Sequence, residues 1–76
     1  MIYSLGKKIK EIREENNLSQ PKFAKIIGVS NGIISGWEND KYEPKASYIK
    51  KIAQTFNITS DELLGIDITK NKKDGD

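Results

Sequence analysis

Residues 20–39 read QPKFAKIIGVSNGIISGWEN, and the reading of this stretch decides the fold. It divides into two short helical pieces on either side of Gly28, a position where a positive φ is cheap only for glycine. Ala24 is small where the first piece must let the second come close. Ile34 and Trp37 are spaced i, i+3, so both face inward from the second piece. Each feature is common alone, but their coincidence at this spacing specifies two helices joined by a tight turn.

Working outward, Leu5, Ile9 and Ile12 form one apolar stripe, so a first helix is expected over residues 5–15 with Ser4 as its N-cap. Asn16 and Asn17 tolerate the left-handed turn that ends it. Ser19 caps the second helix, whose first turn holds Pro21 and whose inner face carries Phe23, Ala24 and Ile27. Ser30 caps the third, which runs to Glu38. Residues 39–44 form a polar connection before Pro44. A fourth helix is expected over residues 45–56, burying Ile49, Ile52, Ala53 and Phe56. Thr59 to Glu62 (TSDE) reads as a capping box opening a short fifth helix with Leu63 and Leu64, ended by Gly65. The expected fold is all-α, five helices in one domain over residues 5–65. Residues 66–76 are a polar, flexible tail in which Ile66 and Ile68 hint at a short strand.

Bulk composition agrees. Val, Ile, Leu and Phe make up 19 of the 76 residues, above the roughly 20% below which disorder is the better reading. A chain this short buries only about 60–65% of its unfolded surface, so modest stability is expected. Cysteine and histidine are absent, which excludes disulfides, thiolate and imidazole catalysis and N/S metal sites. No cofactor is expected. Neither a signal peptide nor a transmembrane run is expected, and a reducing cytoplasm suits the chain. The net charge of +2 is mild, so the placement of charge matters more than its sum.

A helix-turn-helix of this layout is the kind that docks one helix in the major groove of DNA. With Ile34 and Trp37 inward, the outward positions of the third helix are Asn31, Gly32, Ser35 and Gly36, with Ile33 at the flank. Asn31 can pair bidentately with adenine, Ser35 can meet a base or a phosphate, and Ile33 can touch a thymine methyl. Gly32 and Gly36 each cost a helix about 1 kcal/mol relative to alanine. They either clear room for close approach to the groove floor or reflect neutral surface drift. Gln20, Ser30, Asn39, Lys41 and Lys22 are the candidate phosphate contacts, with Lys45 a weaker one. Arg13 is the only arginine among 13 basic residues, and an ion pair with Glu38 would lock the third helix onto the first.

These residues resemble the phage-repressor and Cro type of helix-turn-helix proteins, also called Xre-like. The resemblance rests on Leu18-Ser19-Gln20, Phe23-Ala24, Gly28-Val29-Ser30, Ile34-Ser35, Trp37-Glu38-Asn39 and Pro44. It continues through Ile52-Ala53, Phe56-Asn57-Ile58 and Asp61-Glu62-Leu63-Leu64-Gly65. It implies a five-helix domain that binds two-fold operators as a dimer. It also implies that Gln20 contacts phosphate, that Asn31, Gly32 and Gly36 occupy base-reading positions, that Arg13 and Glu38 pair, and that Asn39 and Lys41 belong to a backbone-contacting loop. Two departures stand out: Gly36 replaces a side chain often used for base reading, and Asp40 stands where glycine commonly follows Glu-Asn.

The expected function is therefore a DNA-binding transcriptional regulator, a repressor that occupies an operator as a homodimer. Dimer contacts would come from the fifth helix and the Leu64, Ile66, Ile68 edge. The competing reading is a protein-interaction module or antitoxin of the same fold, using Glu14, Glu15, Asp40 and Glu43 as acidic surface. An enzyme is disfavoured, because Glu14-Glu15 and Asp61-Glu62 are explained as helix-end and capping charges.

Overall fold

In the computed structural model, residues 4–65 are described, and they form five helices. α1 spans Leu5–Glu15, α2 Gln20–Ile27, α3 Asn31–Glu38, α4 Ala46–Thr55 and α5 Ser60–Leu64. The strand expected at Ile66 and Ile68 and the flexibility expected of residues 66–76 concern positions outside the described residues.

Hydroxyl caps open four of the five helices. Ser4 accepts from the Lys7 N–H, Ser19 from Lys22, Ser30 from Ile33 and Thr59 from Glu62, at 3.0–3.2 Å. Only half of the box at Thr59 forms as such, since the Glu62 carboxylate lies 3.8 Å from Lys8 Nζ on α1. α4 is shorter than expected by one residue at each end. Lys45 stays extended as its N-cap, without a side-chain cap bond, and Phe56 is its C-cap.

Four helices end alike, in a left-handed residue followed by a six-to-one hydrogen bond. The left-handed residues are Asn17, Gly28, Asp40 and Asn57. The closing bonds are Leu18 N to Arg13 O, Val29 N to Ala24 O, Lys41 N to Gly36 O and Ile58 N to Ala53 O, at 2.9–3.1 Å. This repeated ending turns the chain sharply enough for each helix to pack across its predecessors.

The buried core is Ile9, Ile12, Phe23, Ala24, Ile27, Ile34, Trp37, Ile52 and Leu63. All five helices contribute, so none folds its apolar stripe away alone. The Phe23 and Phe56 rings stack with centroids 5.4 Å apart, joining α2 to the end of α4. Trp37 meets Tyr48 at 5.5 Å, joining α3 to α4. Gly6 brings α1 against the end of α3: a β-carbon there would fall on the Trp37 carbonyl oxygen. No helix among the described residues is long and apolar enough to cross a membrane.

Candidate nucleic-acid interface

The surface of interest begins with the turn that aims α3. Gly28 takes φ 92° and ψ 32°, and its N–H and that of Val29 both bond the Ala24 carbonyl. The chain then re-enters a helix within three residues. Ile34 and Trp37 anchor the inner side of α3 and are buried. Asn31 and Gly32 are exposed on the other side, and Ser35 is half-buried. The Asn31 amide makes no hydrogen bond among the described residues. Ile33 is half-buried and packs against the core, so only its edge reaches the surface.

A polar network fixes α3 from the side. Arg13 Nε lies 2.6 Å from Glu38 Oε2, and Arg13 Nη2 lies 3.1 Å from Glu38 Oε1. The two side chains are 13% and 3% exposed, so the pair is shielded from water. Arg13 Nη1 also donates to the Leu18 carbonyl at 2.9 Å. The bond to Glu38 raises the Arg13 pKa above its ordinary value against the opposing effect of burial, which keeps the guanidinium charged.

Gln20 joins this network, its amide nitrogen donating to Glu38 Oε1 at 3.0 Å. The side chain proposed for phosphate thus braces α2 against α3. At the start of α2 the Lys22 N–H goes to Ser19 Oγ, the Phe23 N–H goes to the Ser19 carbonyl, and Pro21 has none. The Gln20 backbone N–H is left pointing out of the helix end, where an anion is favoured. Asn39 turns its amide back onto the Ser35 carbonyl at 2.9 Å and Ser35 Oγ at 3.4 Å. Ser30 spends its acceptor on the cap of α3 but stays exposed, as do Lys22, Lys41 and Lys45.

At Asp40 and Gly36, the two departures from the family pattern, the structure supplies a reason. Asp40 does not direct its charge toward the rim of α3. Its carboxylate turns back to the start of α1, accepting from Ser4 Oγ at 2.6 Å and from the Gly6 N–H at 3.1 Å. The helix end is positive and has no acidic residue in its own first turn, which explains the direction. Gly36 is not open: it is buried beneath Tyr42, whose ring occupies the place a β-carbon would take. The Tyr42 hydroxyl donates to the Gly32 carbonyl at 3.3 Å. Neither close approach to a groove floor nor neutral drift accounts for Gly36; it is the seat of an aromatic ring.

Tyr42 is therefore the residue that local periodicity missed. It is the one aromatic in a connection of otherwise polar and proline character, six residues after Gly36 and ten after Gly32. A loop residue has no helical register to betray the face it covers.

The helix-turn-helix domain family matches residues 6–65. The chain is 32% identical over 73 residues to the HTH-type transcriptional regulator ImmR of Bacillus subtilis, covering 96% of this chain and 58% of ImmR. It is 35% identical over 63 residues to the antitoxin PezA of Streptococcus pneumoniae, covering 83% of this chain and 40% of PezA. The chain thus spans about half the length of these relatives. Among solved structures, the c2 repressor of Salmonella phage P22, in complex with a synthetic operator, superposes with a TM-score of 0.75 at 27% identity. That match covers 82% of this chain and 94% of the repressor chain. The chain belongs to the helix-turn-helix domain family, in its phage-repressor type.

Proposed function

We propose that the protein is a sequence-specific double-stranded-DNA-binding transcriptional regulator, a repressor that works by occupying an operator. The observation that carries this reading is α3 itself. Its inner face is held by Ile34, Trp37 and the Arg13–Glu38 pair, while Asn31 and Gly32 stand exposed on the other. A rigid helix with one exposed face suits a groove about 12 Å wide. The likeness to a repressor solved on its operator supports the same use. Asn31, Ser35 and the edge of Ile33 would read bases beside Gly32. The Gln20 N–H, Ser30, Lys22, Asn39 and Lys41 would position the helix on phosphates. The protein acts in the cytoplasm and is not an enzyme.

Selection of bound oligonucleotides from a random pool tests this. An enriched palindrome is the expected outcome, and enrichment of nothing would end the reading. Two variants then locate the helix. Asn31→Ala relaxes preference at one or two base positions, worth about 1–3 kcal/mol, and leaves nonspecific binding nearly intact. Lys41→Ala weakens binding to every sequence and lowers the salt slope by about 1. The opposite pattern would mean that α3 is wrongly placed.

Two-fold operators call for a dimer. Leu64 is 39% exposed at the end of α5 and is the proposed contact, together with Ile66 and Ile68. Changing Leu64 and Ile66 to charged residues should abolish dimers in sedimentation; an unchanged mass would count against this interface.

The similarity to an antitoxin favours one second reading, a protein-interaction module in which DNA contact is secondary. Gel shifts at rising salt separate the two. Operator binding should outlast random-sequence binding, whereas equal loss of both supports the module.

A further inference from the structure

The outward face of α3 lacks a side chain at two of its positions, Gly32 and Gly36, and a residue from outside the helix lies across them. Tyr42 sits in the α3–α4 connection. Its ring covers Gly36 so closely that any β-carbon at residue 36 would collide with it, and its hydroxyl reaches the Gly32 carbonyl. Tyr42 as a residue remains 46% exposed, the most exposed of the large hydrophobic residues among those described. It is thus held in place from below and open from above.

We propose that Tyr42 is a base-reading residue, supplying from the loop the specificity group that α3 has given up at Gly36. This inference rests on the reading of α3 as the groove-docked helix. The chemistry of the contact follows from the hydrogen bond already made. The phenol O–H is donated to Gly32, so the oxygen meets a ligand as an acceptor. In the major groove only adenine N6 and cytosine N4 present donors, so the hydroxyl selects one of those two amino groups. The exposed ring edge adds an apolar surface that suits a neighbouring thymine methyl. A ring fixed on backbone atoms loses less side-chain freedom on binding than a long side chain standing on a helix, which favours a loop tyrosine for this task.

Base preferences of the wild type and three variants, measured on a randomised operator, test the proposal. Tyr42→Phe keeps the ring and removes the acceptor. It should reduce discrimination at one base-pair position, an A or C, by about three- to tenfold and leave other positions unchanged. Tyr42→Ala should lose the same position and the adjoining thymine preference. Gly36→Ala leaves Tyr42 in the sequence but displaces its ring and hydroxyl together, and should reproduce the Tyr42→Ala pattern. Melting curves show whether each variant is folded; for Phe, with its ring in place, a near wild-type melt is expected.

Unchanged preferences in Tyr42→Phe, with the melt retained, would overturn the hydroxyl contact. A uniform fall in affinity for Tyr42→Ala, with no position singled out, would overturn base reading and leave the ring as packing. If the wild type enriches no sequence, the underlying reading of α3 falls and this proposal with it. An Asn31→Ala background that still shows the Tyr42-dependent position would establish that the two residues read separate base pairs.

Discussion

A β-carbon built on Gly6 falls on the Trp37 carbonyl oxygen and close to the Asp40 carboxylate, while one built on Gly32 meets only Ser30 Oγ at 3.8 Å. Two glycines in helices therefore have opposite expected outcomes. Gly6→Ala forces α1 away from backbone that cannot rotate aside, and should destabilise by about 2–3 kcal/mol. Gly32→Ala adds helix propensity in open space, and should stabilise by about 0.5–1 kcal/mol. Urea unfolding of the two variants checks both signs. A neutral Gly6→Ala would mean that α1 and α3 can separate at little cost. Residue type alone could not separate these positions. Gly28 was readable because a turn between two apolar helices needs its backbone freedom, whereas the demands on Gly6 and Gly36 come from residues 31 and 6 positions distant, Trp37 and Tyr42.

At the scale of elements, helix starts were easier to read than helix ends. Ser4, Ser19, Ser30 and Thr59 cap within three residues of themselves, so the signal is local. The left-handed endings at Asn17 and Gly28 were legible from residue type, but Asp40 and Asn57 do the same work with residues that serve equally in open loops. Asp40 also joins two elements, ending α3 with its backbone and capping α1 with its carboxylate. These roles can be separated. Asp40→Asn keeps the tolerance for φ 57° and a hydrogen-bond acceptor but removes the charge at the α1 N-terminus. A loss of about 0.3–1 kcal/mol is expected, shrinking as salt is raised. Asp40→Gly relieves the backbone and deletes the cap, and should lose more at high salt than Asp40→Asn. A salt-independent loss in Asp40→Asn would show that geometry, not charge, holds the α1 start.

For the whole molecule, the Arg13–Glu38–Gln20 network fixes the relation of three helices at one point. Arg13 lies on α1, Gln20 at the start of α2 and Glu38 at the end of α3. Hydrophobic contacts alone allow small rotations of α3, because Ile34 and Trp37 are non-directional anchors. Directed hydrogen bonds to a shielded carboxylate do not. Arg13→Met removes the charge partner and leaves Glu38, with its side chain 3% exposed, facing only the Gln20 amide. The expected cost is about 3 kcal/mol. That is a large share of the roughly 4–11 kcal/mol available to a chain of this length. Glu38→Met alone strands the guanidinium, which can still reach the Leu18 carbonyl and should lose less. The double variant, with no charge left to strand, should recover much of the Arg13→Met loss, giving a coupling of about 1–3 kcal/mol in a double-mutant cycle. Additive losses would mean that each side chain is solvated on its own and that the pair does not lock α3. If coupling is found, sequence discrimination should fall further in the double variant than its recovered stability suggests, because apolar contact restores the core but not the orientation of α3. Operator and random-DNA affinities measured on all four proteins decide between a network that merely stabilises and one that aims the helix.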